Sequence, residues 1–481
     1  MRLWMDVMRH LEPVVEDHQR LFDAWEAGGV DGIVVGPLAF ADKSYTFDPK
    51  PEVYARFGLQ PPRPDGTSLW WRAPGDHPGG GPGEQGTTPD REAVLQRRAA
   101  LEQTLERAKE RGWQVWLFCP HYGAPPTPGP ILTDDATRTA VAARMVDAME
   151  HYPMADGALM DGPEWGYEIA PFHQRGRSSI FHDLTPAMAA GAERLGYSYS
   201  RLIAARDRLS ERLHHLSDRE VRLWGSGAGG FLGAFGLLGN DPGLAEWLAF
   251  RMDALTETYA RVREIAQGGA RRPIRLAAGP RSAAFSGLCG YDYARLADCL
   301  DLVLPKHYFW HRGFDGMYGT VARYVQTLCE WNSGLSERGA LQVVRALFGI
   351  ELPGIATLSD FDRGFPQEFF DQIVVRETER ALAAFGDPER VCPWVDAGRK
   401  PHDGEPFSAH DLDRLLGAAE SAGLRRFLYH HHGNLTPGEW AVISARCGQP
   451  WQSTTSPRPL HDPEEARAEM PGYYPPDLPI L

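Results

Sequence analysis

The chain has 481 residues, of which 43% are hydrophobic and 24% are charged. This is the balance of a folded globular protein, and the length is sufficient for one large domain or for two or three ordinary ones. The formal net charge of −14 argues against a nucleic-acid partner, because the phosphate backbone is also negative. It leaves open an enzyme that acts on a neutral or cationic small molecule.

The six cysteines are scattered, without a Cys-x-x-Cys pair or the spacing of a zinc ribbon, and several lie in apolar runs. This pattern predicts no disulfide framework. The N-terminal stretch carries acidic residues where a signal peptide needs an unbroken apolar segment, and no run of about 18 apolar residues could span a bilayer. We therefore expect a cytoplasmic protein with no membrane partner.

Short apolar runs alternate with longer amphipathic segments along most of the chain. Most of the apolar runs end in Gly, Pro or a polar residue, which is typical of strands buried on both faces. The predicted strands are 2–8, 31–37, 114–123, 157–165, 273–280, 301–310, 390–398 and 425–433. The predicted helices are 12–27, 91–111, 135–151, 185–216, 244–266, 317–331, 369–384 and 409–422.

Eight strands, each followed by at least one helix, predict the α/β class and a (β/α)8 barrel, with a doubly wound open sheet as the alternative. We expect one elaborated barrel over 1–450, with a Pro- and Gly-rich insertion at about 38–90 and a helical one at about 170–270. The Pro-rich tail 451–481 is expected to pack on the barrel. Within the second insertion, 225–230 matches G-x-G-x-x-G, but only a very short strand could precede it, so a glycine loop is favoured over a dinucleotide site.

Polar and aromatic residues follow nearly every predicted strand, at the barrel end where active sites lie. This placement is expected for a protein that handles a polyhydroxylated ligand. The candidate catalytic residues are Asp161, Glu164 and Asp396. The candidate substrate-binding residues are Asp6, His121, Tyr122, Trp165, Arg281, Lys306, His307, Tyr308, Trp310, His430 and His432.

Glycoside cleavage needs two carboxyl groups on either side of the scissile bond. The fourth strand supplies Asp161 and Glu164, and the seventh supplies Asp396. Trp165 and Trp310 are aromatic faces on which a sugar could stack, although each is also a candidate packing residue. Asp161 and Glu164 are the first choice for the catalytic carboxylates, with Asp396 as the opposing one; if Glu164 is the general acid, burial and a neighbouring carboxylate are expected to keep it protonated.

In its strand order and in these strand ends, the chain resembles the large retaining clan of (β/α)8 glycoside hydrolases and their uncharacterised hydrolase-like relatives. The resemblance implies an acid/base at the end of strand four and a nucleophile at the end of strand seven. Members of that clan usually carry an Asn-Glu pair and a Glu at these two places. Here strand four reads Met-Asp-Gly-Pro-Glu, and strand seven carries Asp396.

Two other functions fit the same residues. A metal-dependent sugar isomerase or epimerase could use Asp161, Glu164 and His307, although their spacing matches no metal motif. A barrel that binds saccharide without cleaving it would also explain the missing Asn-Glu pair. We expect a carbohydrate as substrate, no metal, no organic cofactor, and a possible homo-oligomer.

Overall fold

The apolar runs form eight parallel strands in a computed structural model. The model describes residues 1–8, 11–36, 49–61, 91–119, 129–169, 179–224, 230–310, 316–396, 407–430 and 432–451. Each strand lies within or beside one of the predicted apolar runs and is shorter than it. The strands are β1 Arg2–Val7, β2 Val30–Val35, β3 Gln114–Phe118, β4 Gly157–Met160, β5 Arg275–Ala278, β6 Leu302–Val303, β7 Trp394–Val395 and β8 Arg426–Tyr429.

The strands pair in the order β6-β5-β4-β3-β2-β1-β8-β7. Parallel bridges from Val303 to Val391 and from Lys306 to Trp394 then join the two ends of this sheet. The backbone N–H of Trp394 donates to the carbonyl of Pro305 at 2.8 Å, and the N–H of His307 donates to the carbonyl of Trp394 at 2.9 Å. These bonds close the (β/α)8 barrel, so the doubly wound alternative is wrong.

Seventeen α-helices surround the strands in the described part of the chain. Most of these helices bury an apolar face, and none of those described combines the length and the apolar character that a membrane span requires. They are α1 Leu11–Glu16, α2 His18–Ala27, α3 Pro51–Arg56, α4 Arg91–Glu110, α5 Asp135–His151, α6 Ala189–Arg194, α7 Tyr199–Leu213, α8 Asp218–Trp224, α9 Gly230–Leu237, α10 Pro242–Gly269, α11 Ser286–Cys289, α12 Tyr293–Cys299, α13 Met317–Trp331, α14 Glu337–Phe348, α15 Val375–Phe385, α16 Ala409–Ser421 and α17 Pro437–Cys447.

Short helical turns account for part of the difference from the predicted helices. The predicted helix 185–216 is divided into a 3₁₀ turn and the helices α6 and α7, and a π-helical turn at Phe369–Val374 leads into α15. The segment that could have been a strand before the glycine-rich motif is the end of α8. The dinucleotide-binding interpretation therefore lacks the strand that it requires.

Two tryptophans fill the lower interior of the barrel, below the strand ends that carry the candidate site. Trp4 of β1 and Trp116 of β3 have ring centroids 6.2 Å apart. Glycines on the neighbouring strands make room for them, since a Cβ at Gly32 would lie 2.4 Å from the Trp4 ring and one at Gly157 would lie 2.4 Å from Trp116. The large indoles thus replace the branched side chains that usually fill a barrel of this kind.

This packing predicts that Gly157→Ala destabilises the protein by about 1–3 kcal/mol, the usual cost of overpacking a core. The added methyl group would meet the Trp116 ring and, at 2.8 Å, the carbonyl oxygen of Arg275. Chemical denaturation measures the change. Gly268→Ala in α10 is the matched control, because a Cβ there has no neighbour within 4 Å, and it should stabilise the helix slightly. Equal stability of the Gly157→Ala variant and the wild type would refute the packing argument.

Candidate active site

The polar residues at the strand ends meet inside one mouth of the barrel. Side chains alternate along each strand, so residues two apart point to the same side. Phe118 of β3 and Trp394 of β7 belong to opposite sides of the barrel, yet their ring centroids are 6.3 Å apart. Both rings therefore lie in the interior, and the residues around them form the floor and wall of a single site.

Asp161 follows β4 and forms an ion pair with Lys306, which follows β6. The Lys306 Nζ lies 3.2 Å from Oδ1 of Asp161. The bridge passes over β5, where Gly279 is required because a Cβ there would lie 2.7 Å from the same Asp161 oxygen. The side chain of Asp161 is 13% exposed, compared with 2% for Lys306. Asp161 is thus a carboxylate that keeps some access to solvent.

The carboxylate of Glu164 accepts hydrogen bonds from two side chains. Its Oε1 accepts a hydrogen bond from Arg281 Nη2 at 2.6 Å, and its Oε2 accepts one from the Tyr291 hydroxyl at 3.0 Å. The guanidinium carbon of Arg281 lies 4.6 Å from the ring centroid of Tyr167. A guanidinium partner favours the ionised carboxylate. This arrangement argues against the general-acid role predicted for Glu164 and suits a residue that positions other groups.

Asp6 and His430 form a buried pair where β1 meets β8. Oδ2 of Asp6 lies 2.5 Å from Nδ1 of His430, and Oδ1 accepts the backbone N–H of Met8 at 2.7 Å. The imidazole is stacked with two rings, with centroids 5.2 Å from Trp394 and 5.7 Å from Tyr308. The aspartate therefore fixes the orientation of an imidazole that also packs on aromatic neighbours.

Asp396 and Tyr308 complete the mouth. Asp396 is 1% exposed and directly follows β7, two residues after Trp394, whose ring lies in the barrel interior. Burial raises the pKa of Tyr308 well above 10.0; Arg281 opposes this shift, and the carboxylates of Asp161, Asp396 and Glu164 add to it. Tyr308 consequently keeps its proton at neutral pH and can donate a hydrogen bond.

Trp394 is a residue of the mouth that the sequence analysis did not select. Lys306 Nζ lies 5.6 Å from its ring centroid, and the hypothetical Cβ of Gly279 would lie 3.3 Å from its ring. The indole thus lies below the Asp161–Lys306 pair and beside His430. The sequence could have indicated Trp394, because it precedes the candidate residue Asp396 by two positions, which is the spacing of side chains on one face of a strand.

Two tryptophans predicted to stack on sugar are packing residues instead. Trp165 is 1% exposed, and its Nε1–H donates to the carbonyl of Arg251 in α10 at 2.8 Å. The ring of Trp310 is 3% exposed and is stacked on Phe407, with centroids 3.9 Å apart and planes within 9°. The stacking role expected for Trp165 is wrong because β4 ends at Met160, and the chain beyond it turns toward α10.

The two selected histidines of the last strand lie in different surroundings. His430 belongs to the mouth, whereas His432 lies in a 3₁₀ turn with its ring centroid 5.7 Å from Trp25 of α2. Alternation does not extend to His432, since β8 ends at Tyr429. The expectation that both histidines face the site is therefore wrong. The candidates His121 and Tyr122 lie outside the described residues.

His307 lies next to Lys306 but does not share its surroundings. Its ring centroid is 4.9 Å from Phe309, and burial lowers the pKa of its imidazole from 6.5 to about 3. An imidazole that remains neutral through the physiological range does not act as a general acid near pH 7. The substrate-binding role predicted for His307 has no support in these contacts.

The described residues contain no group of three or more His, Cys, Asp or Glu side chains placed to hold a metal ion. The two carboxylates considered for the metal site of a sugar isomerase each have a cationic partner within the protein. Asp161 pairs with Lys306, and Glu164 pairs with Arg281. Both carboxylates are thus already neutralised by protein cations, which compete with a metal for the same oxygens.

No protein-family model matches the chain, and no curated protein matches its sequence. Solved structures with a similar course of the chain include the PgaB (BpsB) glycoside hydrolase domain from Bordetella bronchiseptica. It is 14% identical, with 95% of this chain and 99% of that chain covered and a TM-score of 0.46.

A class V chitinase from Pseudomonas fluorescens Pf-5 is 10% identical, with 93% of this chain and 99% of that chain covered and a TM-score of 0.40. The catalytic domain of a beta-amylase from Paenibacillus polymyxa is also 10% identical, with 91% and 94% covered and a TM-score of 0.39. The function proposed below therefore depends on the side chains at the mouth.

The buried neutral imidazole predicts a pH dependence of stability. Below about pH 6.5 the unfolded chain binds a proton at His307 that the folded protein excludes down to about pH 3. The stabilising effect of the neutral ring is therefore present above pH 6.5 and is lost as the pH falls toward 3. The free energy of unfolding of His307→Asn should decline less steeply over this range than that of the wild type. His182→Asn, at an exposed histidine, is the control. Parallel curves for His307→Asn and the wild type would contradict the assignment.

Proposed function

We propose that the protein is a glycoside hydrolase, or a closely related carbohydrate-active enzyme, in which Asp161 and Asp396 are the reacting carboxyl groups. One observation carries the proposal. Carboxylates from two separate strands, β4 and β7, lie in a single barrel mouth whose floor is the indole of Trp394. Asp161 Oδ1 lies next to Gly279 and Lys306, which both lie against the Trp394 ring, and Asp396 follows Trp394 by two residues.

The chemistry of glycoside cleavage matches this pairing. One carboxyl group protonates the leaving oxygen, and the other attacks the anomeric carbon or activates water. Asp161, after β4, has some access to solvent and is paired with the ammonium group of Lys306. Asp396, after β7, is more deeply buried. Two carboxyl groups in such different surroundings are suited to different roles.

The remaining polar groups have supporting roles in this proposal. Arg281 and Tyr291 fix the carboxylate of Glu164 beside the site. Tyr308 and Lys306 are donors that can bind sugar hydroxyls, and Trp394 offers an aromatic surface to sugar C–H groups. The Asp6–His430 pair supports the edge of this aromatic floor.

The carboxylates can be distinguished with two substrates, a glycoside with a poor leaving group and an activated aryl glycoside. Asp161→Asn and Asp396→Asn should each reduce cleavage of the first substrate at least tenfold. One of the two should largely spare the aryl glycoside, because a good leaving group needs no proton, and that variant identifies the donor. Glu164→Gln should slow both substrates alike, since an amide cannot pair with the charge of Arg281.

Steady-state rates for the three variants test this scheme, and dialysis of the wild type against a strong chelator is the control for a metal-dependent reaction. We expect the chelator to leave both rates unchanged. Selective retention of the aryl activity by Glu164→Gln would show that Glu164 is the proton donor and that the argument from its ion pair is wrong. Full activity in both Asp161→Asn and Asp396→Asn would refute the proposed function.

Trp394 and Trp165 are both buried, so Trp394→Ala and Trp165→Ala should each lower the free energy of unfolding by about 3–5 kcal/mol. Only Trp394→Ala should also weaken saccharide binding by the folded protein, by roughly 1–3 kcal/mol, the scale of a lost aromatic contact. Calorimetric binding and chemical denaturation separate the two effects. Unchanged saccharide affinity in folded Trp394→Ala would exclude this indole from the binding site.

A further inference from the structure

The helix before β5 reaches the chain segment that carries two carboxylates of the mouth. This helix, α10, is the longest of the described helices, with 28 residues. Arg251 and Tyr259 on α10 are fully buried, and each donates a hydrogen bond to a backbone carbonyl within residues 160–166. Asp161 and Glu164 lie between these two contacts. We call residues 160–166 the acid segment.

Tyr259 holds the start of the acid segment. Its hydroxyl donates to the carbonyl oxygen of Met160 at 3.2 Å. Met160 is the last residue of β4, so this carbonyl belongs to the peptide group that leads into Asp161. Rotation of that peptide group would move the Asp161 carboxylate relative to Lys306, whose Nζ lies 3.2 Å from it. The Tyr259 hydroxyl therefore restrains the backbone on which the ion pair depends.

Arg251 holds the end of the acid segment. Its guanidinium donates to the carbonyl of Gly166 and, at 2.8 Å, to Oδ2 of Asp183. The same oxygen of Asp183 accepts the backbone N–H of Gly166 at 3.1 Å. The backbone carbonyl of Arg251 also accepts the Nε1–H of Trp165 at 2.8 Å. Two consecutive residues of the acid segment are thus bonded to one position of α10.

The same guanidinium also reaches the chain after β5. Nε of Arg251 donates to the carbonyl of Leu288 at 2.7 Å. Leu288 lies between Arg281 and Tyr291, which are the two side chains that bond to Glu164. One side chain of α10 therefore bonds both to the segment that carries Glu164 and to the segment that carries its partners.

The two anchors hold the acid segment in a bowed shape. Arg251 and Tyr259 lie on one helix, with their Cα atoms about 12 Å apart. The acid segment would span about 20 Å if it were extended. Instead, Gly162 has a positive φ of 87°, and the N–H of Glu164 donates to the carbonyl of Gly162 at 2.8 Å. The middle of the acid segment is thus a tight turn whose two ends are attached to a single helix.

We propose that Arg251 and Tyr259 are positioning residues, which fix the places of Asp161 and Glu164 in the mouth by holding both ends of the acid segment on α10. The inference rests on the proposed function, since it concerns the rate of that reaction. Both side chains act through the backbone of the acid segment and not on the substrate. Misplacement of a reacting group by about 1 Å can lower a rate about a hundredfold. Loss of an anchor should therefore slow the reaction more than it destabilises the fold.

Tyr259→Phe tests the first anchor, because it removes one hydroxyl and keeps the ring. Thr258→Val is the matched control. The Thr258 hydroxyl donates to the carbonyl of Ala254 at 2.8 Å and accepts from Arg138 at 3.0 Å, and both partners lie outside the acid segment. Each variant loses a buried hydroxyl, so the free energies of unfolding should fall by similar amounts. For a glycoside with a poor leaving group, kcat should fall about tenfold or more in Tyr259→Phe and stay within about twofold in Thr258→Val.

Crystal structures of the two variants provide a measurement that does not depend on activity. In Tyr259→Phe, Oδ1 of Asp161 should lie farther from Lys306 Nζ than the roughly 4 Å limit of an ion pair. In Thr258→Val, the distance of 3.2 Å should be retained.

Arg251→Lys tests the second anchor. A lysine ammonium group lacks the planar fork with which Arg251 bonds to Gly166, Asp183 and Leu288 together. It keeps a positive charge beside Asp183, so that this buried carboxylate retains a partner. We expect the variant to displace Glu164 and to lower kcat by about tenfold or more.

An acid segment that is unchanged in the crystal structure of Tyr259→Phe would overturn the inference. So would a wild-type kcat in that variant, or an equal loss of kcat in Tyr259→Phe and Thr258→Val, which would indicate a general structural effect. If Tyr259→Phe does not fold, Arg251→Lys is compared with Thr258→Val in the same way. A wild type that cleaves no glycoside would refute the proposed function instead, and the crystal structures alone would then decide whether α10 positions the acid segment.

Discussion

The site depends on the few backbone hydrogen bonds that join β6 to β7. The Trp394 N–H bonds to the Pro305 carbonyl, and the His307 N–H bonds to the Trp394 carbonyl. Both strands are only two residues long, so this closure has little redundancy. Without it, Lys306 would not lie over the indole of Trp394. The hydrogen bonds that close the barrel therefore also bring the residues of the candidate active site together.

The charges at the mouth explain how several carboxylates can be buried together. An isolated ionised carboxylate in a protein interior is costly, whereas one paired with a cation and hydrogen-bonded is tolerated. Lys306 compensates Asp161, and Arg281 compensates Glu164. Such pairs contribute little net stability compared with apolar packing, and removing one partner is strongly destabilising. Their presence at a functional end of the barrel is thus better explained by chemistry than by stability.

The sequence allowed the barrel to be predicted because each strand is a short apolar run with a helix after it, and the strand order follows from right-handed crossovers. The strand ends likewise predicted Asp6, Asp161, Lys306 and Asp396 at one mouth. Errors arose where a predicted run was longer than its strand. Trp165 and His432 lie beyond the last strand residues, where the alternation of side chains no longer applies. The partners Arg281 and Tyr291 of Glu164 could not be inferred, since they lie 117 and 127 residues away in the chain.

The proposed function is tested most directly by a crystal structure of the Asp161→Asn variant soaked with a mixture of oligosaccharides from partly hydrolysed polysaccharides. We expect a sugar ring on the indole of Trp394, with its glycosidic oxygen between residue 161 and Asp396 and its hydroxyls bonded to Lys306 or Tyr308. A saccharide bound away from Trp394, or a mouth whose Asp396 contacts no part of the bound sugar, would contradict the central claim that these two carboxyl groups act on a glycosidic bond.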